Sequence, residues 1–129
     1  DKINNIQTAN NCKSLLMNII PGLIEENFDE FSNGIRNIQD NMSKIFYGKE
    51  DRFASKSVEK IFKTLRKKDI KSFGQSSWGP TGFIFSKNSK KRNELLNYLE
   101  KYISLRKLVG IKLLKIDGRN FGKKLILKE

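Results

Sequence analysis

The hydrophobic pattern of this chain changes period once, at Lys68-Asp69, and that change limits the fold more than any other feature. Before it, apolar residues recur every three or four positions, the spacing that lines one face of an α-helix. After it, short apolar runs bounded by glycines suit strands. Cys12, Leu15, Leu16, Ile19 and Ile20 follow Thr8, a residue able to cap a helix, and Pro21-Gly22 then interrupts. A first helix is therefore expected to end near Asn18, with this stripe in the core and Cys12 a buried thiol.

Asn27 precedes Phe28, Phe31, Ile35, Ile38, Met42 and Ile45, which alternate steps of three and four behind Asp29 and Glu30. This predicts a long amphipathic helix whose acidic start complements the helix dipole rather than forming a catalytic pair. Residues Tyr47 to Ser55 have no period and read as a connection. Ser57 is expected to cap a third helix bearing Val58, Ile61, Phe62 and Leu65. Ile70 and Phe73 then fit one short strand and Gly82 to Phe85 a second, both buried. A fourth helix from about Ser89 to Arg106 turns Leu95, Leu99, Tyr102 and Ile103 inward. Alternation at Val109, Ile111 and Leu113, and more weakly over Lys124 to Lys128, predicts two further strands around a turn at Asp117 to Gly122. The order ααα-ββ-α-ββ indicates an α+β fold, a small antiparallel or mixed sheet with helices packed on one face.

With 129 residues, the sequence suits a single domain over 1–129. It opens on Asp1, which suggests a piece of something longer. No run approaches the roughly 18 apolar residues of a membrane span, so a cytoplasmic location is the default. Asn41-Met42-Ser43 spells a glycosylation acceptor but falls within a helical pattern, where it is expected to be silent. A net charge of +12 invites a nucleic-acid reading. That reading ranks below a phosphate-bearing small molecule. Most of the cations are Lys among many Asn and Ile, a bias that AT-rich coding produces unaided. The runs Arg66-Lys67-Lys68 and Lys90-Lys91-Arg92 also sit at helix ends, where solvated charge is common.

The chain has no histidine, which excludes a Ser-His-Asp triad, a Cys-His pair and His-ligated metal. One cysteine allows no disulfide and no thiolate cluster. Neither G-x-x-x-x-G-K-[ST] nor G-x-G-x-x-G occurs. What remains is Gly74-Gln75-Ser76-Ser77-Trp78-Gly79-Pro80-Thr81, longer than a hairpin loop needs to be. Its glycine-freed N–H groups and the Ser76, Ser77 and Thr81 hydroxyls can form an anion-binding concavity, and Trp78 can stack on a ring or exclude water. The segment carries no charge, so a phosphate there needs its charge neutralised elsewhere. The bland alternative has the hydroxyls satisfying their own turn while Trp78 plugs the core edge. Asn120 reads first as a turn residue and second as a ligand contact.

Gly74 to Thr81 resembles the signature in the C-terminal domain of β-ribofuranosylaminobenzene 5′-phosphate synthases, of the GHMP kinase superfamily. Leu16 to Leu23 followed by Asn27-Phe28-Asp29-Glu30-Phe31 is similar to that family's helix, proline, small acidic turn and next helix. Ile38-Gln39 resembles its mid-helix glutamine, and Asp117-Gly118-Arg119-Asn120-Phe121-Gly122 its terminal turn. The resemblance covers nearly the whole chain and implies a ferredoxin-like C-terminal domain. It implies an enzyme joining phosphoribosyl pyrophosphate to 4-aminobenzoate or a relative, with loss of carbon dioxide and pyrophosphate, in methanopterin-type synthesis. Gly74, Gln75, Ser76, Ser77, Trp78, Gly79, Thr81 and Asn120 would then line the phosphoribosyl or aromatic-acid pocket.

The family's N-terminal domain, with its Gly/Ser-rich phosphate loop, is not in this sequence. Catalysis by the chain alone is accordingly not expected, and no catalytic residue can be named. The expected partners are that N-terminal domain, on the same or a separate chain, and a phosphorylated small molecule, with a homodimer allowed and no membrane. No cofactor is expected in this domain, with Mg2+ accompanying phosphoribosyl pyrophosphate or ATP in the complete enzyme. The alternatives are an ATP-dependent small-molecule kinase of the same superfamily and a basic nucleic-acid-binding module. Lys71 and Lys87 flank the loop in sequence and read first as solvated strand ends and second as help for a phosphate.

Overall fold

The computed structural model describes residues 5–118. They form α1 (Asn5–Ser14), a π turn (Leu15–Ile19), α2 (Ile20–Ile24), α3 (Phe28–Tyr47), α4 (Lys56–Lys67), β1 (Phe73–Gln75), β2 (Gly82–Ile84) and α5 (Ser89–Leu105). The two strands pair antiparallel, with Gly74 opposite Phe83. Helices with one small antiparallel sheet make this an α+β fold. No helix among the described residues is long and apolar enough to cross a membrane.

The first helix departs from expectation in length and in orientation. Pro21 does not stop it. The π turn, in which the Ile20 N–H donates to the Leu15 carbonyl, loosens the ladder just ahead of the proline ring, and the helix runs on to Ile24. Gly22 is a packing residue: a Cβ there would lie 2.5 Å from the Phe31 nitrogen.

The stripe expected in the core faces outward, apart from the buried Ile19. Cys12 is exposed, as are Leu15, Leu16 and Ile20. The face laid on α3 is polar instead. The Asn41 amide donates to the Gln7 carbonyl at 3.0 Å and to Asn11 Oδ1 at 2.7 Å, and Asn18 Nδ2 donates to Glu30 Oε1. Hydrogen-bonding complementarity along this face has overridden the apolar spacing. It also places Asn41, of the glycosylation-like triplet, mid-helix with its amide engaged.

The α3 helix is capped at its start by Asn27, whose Oδ1 accepts the Glu30 N–H at 3.1 Å, and at its end by Gly48 with φ +74°. For α4 the cap lies two residues earlier than expected: Ser55 Oγ accepts the Val58 N–H at 3.3 Å, and Ser57 is already helical. Replacing Ser55 by Ala should therefore cost about 1 kcal/mol of stability in urea unfolding, while Ser57→Ala should change it by less than about 0.5 kcal/mol. Equal effects would contradict this cap.

The core gathers Phe53 from the α3–α4 connection, Ile61, Phe62 and Leu65 from α4, Phe73 from β1 and Leu99 from α5. Phe62 meets Phe53 edge-on at 4.8 Å and lies tilted against Phe73 at 4.7 Å. Leu95, Tyr102 and Ile103 are half-buried against this cluster on α5. Beyond α5, Ile111 and Leu113 pack on the same cluster, but residues 108–118 form no strand, and Val109 is exposed. The strand expected at Val109 to Leu113 is thus an irregular segment held by side-chain burial without ladder hydrogen bonds. The strand expected over Lys124 to Lys128 lies outside the described residues, as does Asn120.

Candidate functional site

Gly74 to Thr81 closes the β1–β2 hairpin, and its conformation is fixed from beneath by two glutamine side chains. Gln39, midway along α3, presents its amide to the backbone of Gln75: Oε1 accepts the N–H at 2.9 Å and Nε2 donates to the C=O at 3.5 Å. A side-chain amide thereby takes the place of a neighbouring peptide. Gly74 makes the approach possible, since a Cβ there would fall 2.3 Å from Gln39 Cδ. The Gln75 side chain is likewise spent on the scaffold. It accepts the Ala54 N–H at 2.7 Å and donates to the Ser77 carbonyl at 3.1 Å, joining the loop to the α3–α4 connection.

The turn itself is closed by backbone. The Ser76 N–H donates to the Thr81 carbonyl at 2.9 Å and the Gly79 N–H to the Ser76 carbonyl at 3.0 Å. Gly79 has φ +75°, and Gly79-Pro80 is a cis peptide. The Ser76, Ser77 and Thr81 hydroxyls take no part in these bonds, and all three residues are exposed. Trp78 is 76 % exposed and rests one ring edge on Phe46, centroids 5.1 Å apart, so it does not plug the core. The residues named from the sequence at 74–81 are therefore brought together in two roles: Gln75 and the glycines hold the loop, while three hydroxyls and an indole face outward.

Behind the loop lies a cavity of about 160 Å3 bordered by Gln39, Phe46, Tyr47, Arg52, Phe53 and Ser77. Arg52 escaped the sequence reading because it sits in a connection with no periodic signal. Its guanidinium is 3.5 Å from Glu59 Oε1, which leaves it the cation bordering the loop's cavity. Lys71 and Lys87 are instead at the open end of the hairpin, around a separate groove of about 830 Å3 that they share with Lys68 and Lys91.

A second set of charges lies under β1. The Arg36 guanidinium stands 4.4 Å over the Phe73 ring and pairs with Asp40 at 2.8 Å. Asp40 also accepts from Arg66 at 2.8 Å, and Arg66 reaches Asp51 at 2.7 Å. Burial draws the pKa of Arg36 below its ordinary value, with Asp40 opposing it. Arg66 is moved the other way: Asp40 and Asp51 outweigh its own desolvation. This network ties α3, α4 and the connection together beneath the loop.

Among the described residues, no three or more Asp, Glu or Cys converge to hold a metal ion. The loop's own oxygens are hydroxyls and carbonyls, which Mg2+ does not favour without carboxylate or phosphate oxygens beside them.

No curated protein and no solved structure matches the chain. The family described as GHMP kinases C terminal matches residues 19–105, a span that takes in Gln39, Arg52 and the whole Gly74–Thr81 loop. That match covers most of the sequence, and a companion N-terminal domain is what such a domain implies. The chain belongs to the GHMP kinase C-terminal domain family.

Proposed function

We propose that this domain supplies one wall of the active-site cleft of a two-domain enzyme, and that its Gly74–Thr81 loop faces a phosphoribosyl substrate. In this reading the enzyme is β-ribofuranosylaminobenzene 5′-phosphate synthase-like. It joins phosphoribosyl pyrophosphate to 4-aminobenzoate or a relative as carbon dioxide and pyrophosphate leave.

One observation carries the reading: the loop is anchored by Gln39 and Gln75 while the Ser76, Ser77 and Thr81 hydroxyls and the Trp78 indole stay outside the turn's own bonding, on exposed residues. A loop whose backbone is held by other groups can present hydroxyls to an anion without reorganising, and that preorganisation is what binding rewards. Trp78 offers an apolar face to an aromatic ring or a lid against water. The companion domain would contribute the charge that the loop lacks, with Arg52 bordering the cavity behind it on this side.

In the complete two-domain enzyme, Ser76→Ala and Trp78→Ala should each lower kcat/KM by about tenfold, about 1.4 kcal/mol of transition-state stabilisation. The assay follows release of carbon dioxide and pyrophosphate from 4-aminobenzoate and phosphoribosyl pyrophosphate. Turnover and affinity at the parent level in both variants would remove the loop from the site.

The family's own description favours a second reading, an ATP-dependent small-molecule kinase in which the same loop supports phosphoryl transfer. ATP consumption without release of carbon dioxide from 4-aminobenzoate would select it.

A further inference from the structure

The α1–α2 helix is inside out: its polar face is on α3 and its apolar face is bare. Leu16, Met17, Leu23 and Ile24 are 61, 64, 60 and 78 % exposed, with Ile20 between them at 39 %. A contiguous stripe of this kind, about 18 Å long from Cys12 to Ile24, marks an interaction surface rather than scattered exposure.

The charges at its ends indicate what covers it. Lys13 lies at the start of the stripe, and Glu25 and Glu26 lie just past its end. All three are exposed, and none is in an ion pair among the described residues. A surface that is positive at one end, apolar in the middle and negative at the other is complementary to itself when turned by 180°.

We infer that two copies of this chain pair through the α1–α2 faces, antiparallel about a twofold axis near Ile20. The pairing sets Leu16 against Leu23 of the second copy and Lys13 against its Glu25 and Glu26. In such an isologous contact every favourable pair occurs twice, so a short stripe gains affinity from both of its ends. The apolar stripe is smaller than the roughly 800 Å2 per partner of a standard stable interface, so the dimer is a weak one, with dissociation in the micromolar range.

Sedimentation velocity on the 129-residue chain tests this. The parent should show a monomer–dimer equilibrium. Leu16→Glu with Leu23→Glu should abolish the dimer while the helical circular dichroism is unchanged, because both positions are exposed. Charge reversal then separates this pairing from unspecific stickiness. Lys13→Glu alone, or Glu25→Lys with Glu26→Lys, should weaken the dimer about fivefold or more, and all three together should restore it to near the parent value. A parent that stays monomeric into the hundreds of micromolar range overturns the inference. So does association that ignores the charge reversals or is not restored by combining them. Either result would return the stripe to another occupant, such as the companion domain.

Discussion

Replacing Asp40 by Asn is expected to destabilise the domain by about 3–5 kcal/mol, which for a chain of this size lowers the melting temperature by about 10–20 °C. Arg36 is 6 % exposed; its Nε and Nη1 have no partner, and its Nη2 meets Asp40 as an ion pair rather than an aligned hydrogen bond. The carboxylate 2.8 Å away is what compensates the desolvated charge, so a neutral Asn would leave a buried cation unanswered. Arg66 would suffer less, because it keeps Asp51. The matching double replacement, Arg36→Met with Asp40→Leu, removes both charges and places a thioether on the Phe73 ring where the guanidinium lay. It should fall within about 1–2 kcal/mol of the parent. Calorimetry on the single and double variants checks the pair. If Asp40→Asn cost under about 1 kcal/mol, the pair would be worth no more than a surface one.

The second large effect concerns the loop. Gly74→Ala should cost about 2–3 kcal/mol, because the new methyl claims the space of the Gln39 amide and parts it from Gln75. Gln39→Ala should cost about 1–2 kcal/mol by leaving the Gln75 N–H to find water. The two losses share one cause, so they should not add. In the Gln39→Ala background, Gly74→Ala should cost less than about 1 kcal/mol, a coupling measurable in a urea double-mutant cycle. Full additivity would mean that Gly74 is required for some reason other than this contact. If the loop faces the substrate as proposed, both single variants should also impair turnover in the complete enzyme, although neither alters the loop's hydroxyls or indole.

Much of the architecture could be read from spacing. The three- and four-residue steps marked α3, α4 and α5 to within a few residues, because packing one helical face leaves that period in the sequence. The loop was legible as punctuation, through two glycines and a proline in a segment too long for a tight hairpin. The first helix was misread because spacing reports where apolar residues lie and not which face meets a neighbour. The ladder of Gln7, Asn11 and Asn18 against Asn41 and Glu30 depends on two helices meeting, which neither segment announces alone. Arg36 and Arg52 were missed for a related reason. A cation's burial or its place beside a cavity is a property of the assembled fold. Resemblance, not periodicity, drew attention to Gln39, and its purpose became evident only with Gly74 beside it. The irregular path from Leu108 to Gly118 shows the converse, since alternating residues bury one side of a segment whether or not its backbone joins a sheet.

The glutamine beneath the loop also decides where the sheet can grow. Along the outer side of β1, the Phe73 N–H is taken by the Lys71 carbonyl at 2.9 Å, and both backbone groups of Gln75 are taken by Gln39. An edge on which both of these donors and one of the two acceptors are already spent offers little template to a passing strand, the hazard that exposed sheet edges carry. Any strand recruited to this sheet, from the same polypeptide or another, is therefore directed to the side of β2. A single amide side chain thus both positions the loop and closes one border of the sheet, so a lesion at position 39 should appear as aggregation as well as lost affinity.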